Sequence, residues 1–180
     1  GDDRIALHVD ARRAAAIGAA QRDIVVISPY SSFPFLDWLE ATARRGVAVE
    51  ILTPRDSNKP IVRDALLARP PVSNLTIRLP PGMSHLKAML IDGKTLVTGS
   101  TNFDFASHVA NEEYLALVGD ATLVADFCAR VLDPVRAASI DAAPSRPSRL
   151  RGMAATAGLR IAAAAIAPLA RARRTVTDWR

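Results

Sequence analysis

Residues 84–114 read SHLKAMLIDGKTLVTGSTNFDFASHVANEEY, and this stretch decides how the rest of the chain is understood. Asp92-Gly93 sits between two apolar runs, and that dipeptide is a strong hairpin signal because both residues tolerate the positive φ of a tight turn. Residues 85–100 therefore read as two strands around the turn. Side chains alternate along a strand, so His85 and Lys87 share one face. An imidazole beside an ammonium makes a poor core and a good anion site. GSTN, 99–102, then brings a hydroxyl, a carboxamide and a close backbone approach at Gly99 to the strand end. Together these residues make an oxyanion cradle that needs no metal. Lys87 supplies charge, Ser100 and Asn102 supply donors, and His85 supplies a nucleophile or a proton near neutral pH.

Working outward, strands alternate with helices. Residues 4–22 have helical spacing, DIVVISPY (23–30) is a buried strand, and 31–46 is a helix closed by Gly46. Arg44 and Arg45 there complement the helix C-terminus. VAVEILTP (47–54) is a strand, 59–70 a helix between prolines, 74–80 a strand, 113–119 a strand and 121–135 an amphipathic helix. This is an α/β domain, a mixed sheet flanked by helices, spanning 1–140. Residues 141–152 form a Pro/Ser/Arg linker, and 153–180 a basic, Ala-rich tail helix interrupted by Pro168. The tail is poor in Leu and Phe, so it fits a membrane interface or a loosely ordered basic tail better than a span. No internal repeat is present, so the motif occurs once.

Charge sharpens the division. Residues 144–180 hold eight arginines and one aspartate, net +7, which leaves the first 143 residues at −2. A nucleic-acid enzyme is expected to carry its positive field around the site itself, so nucleic acid is not the expected partner. The single cysteine, Cys128, excludes a disulfide framework and a multi-Cys zinc site, and it reads as a small core residue. No metal and no cofactor is expected. His8 and His108 read as ordinary histidines outside the motif. The opening GDDRIALHVD has no Met, so the chain is expected to be a piece of something longer or a processed product.

The order H-x-K-x4-D-x6-G-S-x-N, met by His85, Lys87, Asp92, Gly99, Ser100 and Asn102, resembles the signature of the phospholipase D superfamily. Asp104, Asn111 and Glu113 fall where bacterial cardiolipin synthase-like members continue, and the lead-in ISPY…FLDWLEATARRGVAVEILTP is similar too. The resemblance covers roughly residues 10–135 and leaves out the basic tail. One position departs: many such sequences have an Arg where this chain has Ala106, which bears on head-group and acceptor preference.

The resemblance implies transfer in two steps through a phosphohistidine, with two HxK motifs meeting at a pseudo-twofold interface. His85 would be one of that pair, the general acid if this is a C-terminal half. Lys87 and Asn102 would hold phosphate oxygens with support from Ser100. Glu113, 28 residues beyond His85, would accept its second ring N–H. Asp92 is expected to be structural, as are Gly99 and Asp104, and Tyr30 either lines the cleft or packs in the core.

Three functions compete. The first is a phosphatidyltransferase of cardiolipin synthase type or a phospholipase D hydrolase. It would use a phosphatidylglycerol-like substrate, sit peripherally on the cytoplasmic face of the bacterial inner membrane, and touch anionic lipid through the tail. The second HKD motif would come from another half in cis or from a homodimer partner. The alternative is a homodimeric, metal-independent endonuclease of the same superfamily. The third is a non-catalytic lipid-surface module, against which the intact His85, Lys87, Asn102 and Glu113 set argues.

Overall fold

The computed structural model describes residues 5–105, 114–143 and 146–176, with side chains described from Arg12 to Ile166 and at Pro168 outside those gaps. Helix α1 (Ile5–Ala19) leads into β1 (Asp23–Ile27), α2 (Phe35–Arg44), β2 (Ala48–Leu52), α3 (Pro60–Leu67) and β3 (Leu75–Leu79). The hairpin β4 (Ala88–Ile91) and β5 (Thr95–Gly99) follows, then β6 (Leu115–Val118). A helical segment runs next: α4 (Ala121–Phe127), a π-helical turn (Cys128–Leu132) and α5 (Asp133–Ala138). Strand β7 (Ile140–Asp141) and the long helix α6 (Arg149–Val176) complete the described chain.

Among the described residues the strands form one mixed sheet in the order β6-β5-β4-β1-β2-β3-β7. The three central strands β1, β2 and β3 are parallel, joined by helical crossovers, and β4 returns antiparallel beside β1 with Ile27 opposite Ala88. Central strands buried on both faces read as unbroken β-branched runs, and DIVVI is one. Ile24 and Val26 face α1 and α2, packing with Ile17, Phe35, Leu39 and Met89. Val25 and Ile27 face the opposite layer, with Leu90, Leu96, Val124 and Leu132.

The elements fall within a few residues of the sequence pattern, with three differences. Strand β4 starts at Ala88, so His85 and Lys87 lie in the lead-in rather than on the strand. The Pro/Ser stretch contributes Asp141 to β7, which pairs with Arg78 of β3. Composition signalled a linker here because two residues are too few to show a period. Helix α6 begins at Arg149 and docks along α3, where Arg151 reaches Asp64 at 2.6 Å. Gly46, at φ 100°, closes α2 as its position suggested, its N–H bonded to Ala43 O at 3.0 Å.

Candidate active site

The ends of β1, β2 and β3, the start of β4 and the end of β5 all lie on one side of the sheet, because β4 is antiparallel to both of its neighbours. His85 and Lys87 precede β4, and Ser100 and Asn102 follow β5. The hairpin therefore returns the chain to the same sheet end and brings the two halves of the motif together. Thr98 Oγ1 fastens them, donating to Lys87 O at 2.9 Å. His85 is exposed and Lys87 half-buried. Lys87 Nζ curls back to donate to His85 O at 2.7 Å, so the charge sits beside the imidazole-bearing residue. Ser84 Oγ accepts from Leu86 N–H at 3.2 Å and shapes the same lead-in.

The GSTN loop is built on a contact only glycine allows. A Cβ on Gly99 would lie 2.1 Å from Tyr114 O of the neighbouring strand. Ser100 bonds the same residue twice: its N–H donates to Tyr114 O at 3.3 Å and its Oγ accepts from Tyr114 N–H at 3.1 Å. The hydroxyl thus spends an acceptor site on the fold. Glu113, with Asn111 and His108, lies outside the described residues, and so does the side chain of His8.

Below the loop stands Arg13, 1% exposed. Its guanidinium donates to Thr101 Oγ1 at 3.2 Å and Asn102 O at 3.3 Å, and lies over the rings of Phe35 (4.1 Å) and Phe103 (5.2 Å). Burying a cation is costly unless its donors are met; here a carbonyl and a hydroxyl meet the terminal nitrogens and two ring faces flank the charge, while Nε has no hydrogen-bond partner among the described residues. Sequence reasoning passed over Arg13. The available signal was its spacing from Ile17 and Ala20, i+4 and i+7, which puts an arginine on the buried face of α1. Ser28 was passed over as well. Its Oγ donates to Tyr30 O at 2.7 Å and accepts from Phe103 N–H at 3.5 Å, tying the end of β1 to the loop.

Asp92 lies at the far end of the hairpin, and Asp104 and Tyr30 are buried beside the loop. Asp92 occupies the hairpin turn at φ 53°, followed by Gly93 at 64°. Its carboxylate accepts N–H bonds from Gln21 (3.1 Å), Arg22 (2.7 Å) and Asp23 (3.2 Å). Desolvation alone would raise its carboxyl pKa. The backbone donors of Arg22, Gln21 and Asp23, with the Arg22 charge, outweigh that and hold it below the ordinary value. Asp104 is buried in the segment that follows the loop. Tyr30 is buried too; its hydroxyl bonds Asn58 Oδ1, and Lys59 Nζ lies 4.2 Å from its ring. Cys128 is half-buried against the second core layer, and burial followed by Asp133 pushes its thiol up against the opposing pull of Arg136. Among the described residues no cluster of His, Cys, Asp and Glu is arranged to hold a metal ion. A crevice lined by Leu36, Glu40, Arg69, Val72 and Arg146 shares none of the motif residues.

Known proteins place this geometry. The family described as "Cardiolipin synthase, PLD-like domain" matches residues 14–131. Minor cardiolipin synthase ClsB of Bacillus subtilis is 29% identical over 128 residues, covering 68% of this chain and 32% of that protein. Cardiolipin synthase A of Yersinia pseudotuberculosis is 32% identical over 119 residues, 62% of this chain and 24% of that one. The chain thus spans a quarter to a third of the curated relatives it matches. In fold it is similar to Nuc, a phospholipase D family member of Salmonella typhimurium (TM-score 0.64, 23% identity, 73% of this chain and 89% of that one). It is similar also to NucT of Helicobacter pylori (TM-score 0.65, 16% identity, 78% and 94%). A hairpin that gathers His, Lys, Ser and Asn at one sheet end, inside a fold and a family match of this extent, makes the chain a cardiolipin synthase-like member of the phospholipase D superfamily.

Proposed function

We propose that this chain carries one half of a phosphodiester-transfer site that works on phospholipid, as a phosphatidyltransferase or a phospholipase D-type hydrolase. The observation that supports it is the meeting of His85, Lys87, Ser100 and Asn102 at one sheet end in a chain whose named relatives are cardiolipin synthases. The second HKD motif comes from another half of a longer chain or from a second copy of this one.

In the proposed reaction one histidine attacks phosphorus. An N–P bond forms while the P–O bond to the leaving alcohol breaks, and the other histidine gives that oxygen its proton. Water or an acceptor alcohol then attacks the phosphohistidine and loses its proton to the second histidine, and the N–P bond breaks. His85 takes the proton-donor role. Lys87 and Asn102, supported by Ser100, meet the charge growing on the equatorial oxygens. Glu113 orients the imidazole through its second nitrogen. The proposed setting is peripheral, on the cytoplasmic face of a bacterial inner membrane, with a phosphatidylglycerol-like substrate.

The test uses phosphatidylglycerol liposomes without added metal, the longest native form of the protein and its His85→Ala variant, with products read by mass spectrometry. Cardiolipin plus free glycerol, lost in the variant, supports phosphatidyl transfer. Phosphatidic acid makes water the acceptor. A homodimeric endonuclease is the second reading, motivated by one motif in 180 residues and opposed by the net −2 charge of residues 1–143. No lipid product together with cleavage of an oligonucleotide replaces the first reading by this one.

A further inference from the structure

Helix α6 has two unlike faces. On one, small residues let it sit tightly on α3: Ala155 and Ala163 are 6% and 7% exposed, and a Cβ on Gly152 would lie 2.1 Å from the Cβ of Ala68. Arg151 locks this face, its Nε bonded at 2.6 Å to Asp64, itself 5% exposed. On the other face Leu150, Met153 and Ile161 are 81%, 61% and 71% exposed, with exposed Ala157 between them. Their spacing of three, four and four residues makes one continuous stripe. Partly exposed Ile61 of α3 flanks the helix, 3.3 Å from where a Cβ on Gly158 would stand.

Charge accompanies the stripe. Arg149 and Arg160 are exposed and stand eleven residues apart, three turns, along one flank of the apolar line. Arg171, Arg173 and Arg174 follow in the same helix, and no acidic residue occurs from Arg149 to Val176. A long apolar face beside arginines, with no acidic residue in the helix to offset them, is complementary to an anionic lipid surface. No described helix is long and apolar enough to cross a membrane, so the helix would lie in the interface plane.

The direction of the helix matters as well. Gly152 meets Ala68, beyond the end of α3, while Gly158 meets Ile61 near its start, so the two helices are antiparallel. The start of α3 follows the end of β2 and hence the sheet end that carries His85 and Asn102. Beyond Gly158, α6 continues to Val176, about 27 Å at 1.5 Å per residue, toward that end.

We infer that the Leu150–Met153–Ala157–Ile161 face of α6, with Arg149 and Arg160 at its flank, docks on anionic phospholipid and lays the helix along the bilayer, its C-terminal end running toward the sheet end that carries the motif. The inference stands apart from the chemistry, since docking does not use His85. The experiment is flotation of the 180-residue chain with vesicles of phosphatidylglycerol and phosphatidylcholine in equal parts, or of phosphatidylcholine alone. The native chain is expected to float with the anionic vesicles, to stay behind with the neutral ones, and to be released by high salt. The combined Leu150→Ser, Met153→Ser and Ile161→Ser variant is expected to bind about tenfold or more weakly, as is the combined Arg149→Glu and Arg160→Glu variant. Circular dichroism should show the native helix content in both. His85→Ala is expected to float like the native chain. Equal binding to both vesicle types, no binding by the native chain, or native-like flotation of the Ser variant overturns the proposal. So does a Ser variant that changes only the oligomeric mass, which would make the face a protein interface.

Discussion

At the turn of the β4–β5 hairpin the aspartate is spent on the backbone, whereas beyond its open end the histidine faces outward. Asp92 gives its carboxylate to three main-chain N–H groups between α1 and β1. His85, at the other end of the same strand, is exposed, and its ring has no bonding partner among the described residues. One motif thus holds two kinds of residue: the aspartate anchors the hairpin to the sheet's neighbours, and the histidine and lysine are what the anchored hairpin presents. Spacing in the sequence does not distinguish them; hydrogen-bond partners do.

That contrast can be broken in several places. The largest effect is expected at the open end, where His85→Ala should lower phosphodiester turnover by roughly a thousandfold. Its unfolding free energy should stay within about 0.5 kcal/mol of native, because the side chain is exposed. Turnover and urea unfolding measured on the same preparation check both, and a large loss of stability would make His85 part of the scaffold. Next comes the support beneath the loop. Arg13→Met keeps an apolar side chain of similar length but removes the guanidinium, and with it the bonds to Thr101 Oγ1 and Asn102 O and the contacts with the Phe35 and Phe103 rings, at a cost of about 3 kcal/mol. A smaller loss in urea unfolding would mean that an apolar side chain supports the loop nearly as well as the guanidinium does.

Gly99→Ala should cost about 2 kcal/mol, since the new methyl would meet Tyr114 O and spread β5 from β6. Amide exchange should show the loosening at Leu115–Val118 before it appears in β1. The smallest effect belongs to Asp92→Asn, about 1 kcal/mol at neutral pH. The native carboxyl titrates below its ordinary value, so its stabilisation is fully present above the unfolded value of about 3.9. It is lost as pH falls through the lower folded value. The gap between native and variant should therefore close in strong acid. A gap unchanged down to pH 2 would detach Asp92 from the acid limb.

Much of this was legible before any coordinates. DIVVI and AVEIL are β-branched runs too short for helices, Asp92-Gly93 marks its own turn, and Gly46 ends its helix, so the mixed sheet follows from local patterns. The pair His85 and Lys87 was legible as part of a family motif, though its placement ahead of β4 was not, because period two says nothing about where the ladder hydrogen bonds stop. Arg13 and Ser28 escaped notice for another reason. Each acts through residues 75 to 89 positions away, and no local window contains both partners. The short β7 was hidden by its Pro/Ser surroundings.

Those long separations bear on how the site comes into being. Contacts between distant residues close late, after the chain has already given up much of its freedom. The loop that carries Ser100 and Asn102 rests on a group contributed by the first helix, and the turn at Asp92 rests on the strand entry that follows that helix. A piece cut to begin at β1 would retain every residue of the HxK…D…GSxN motif and still lack Arg13. The arrangement of Lys87, Ser100 and Asn102 is therefore a property of the finished fold, and the smallest unit that contains its supports is larger than the motif by which it is recognised.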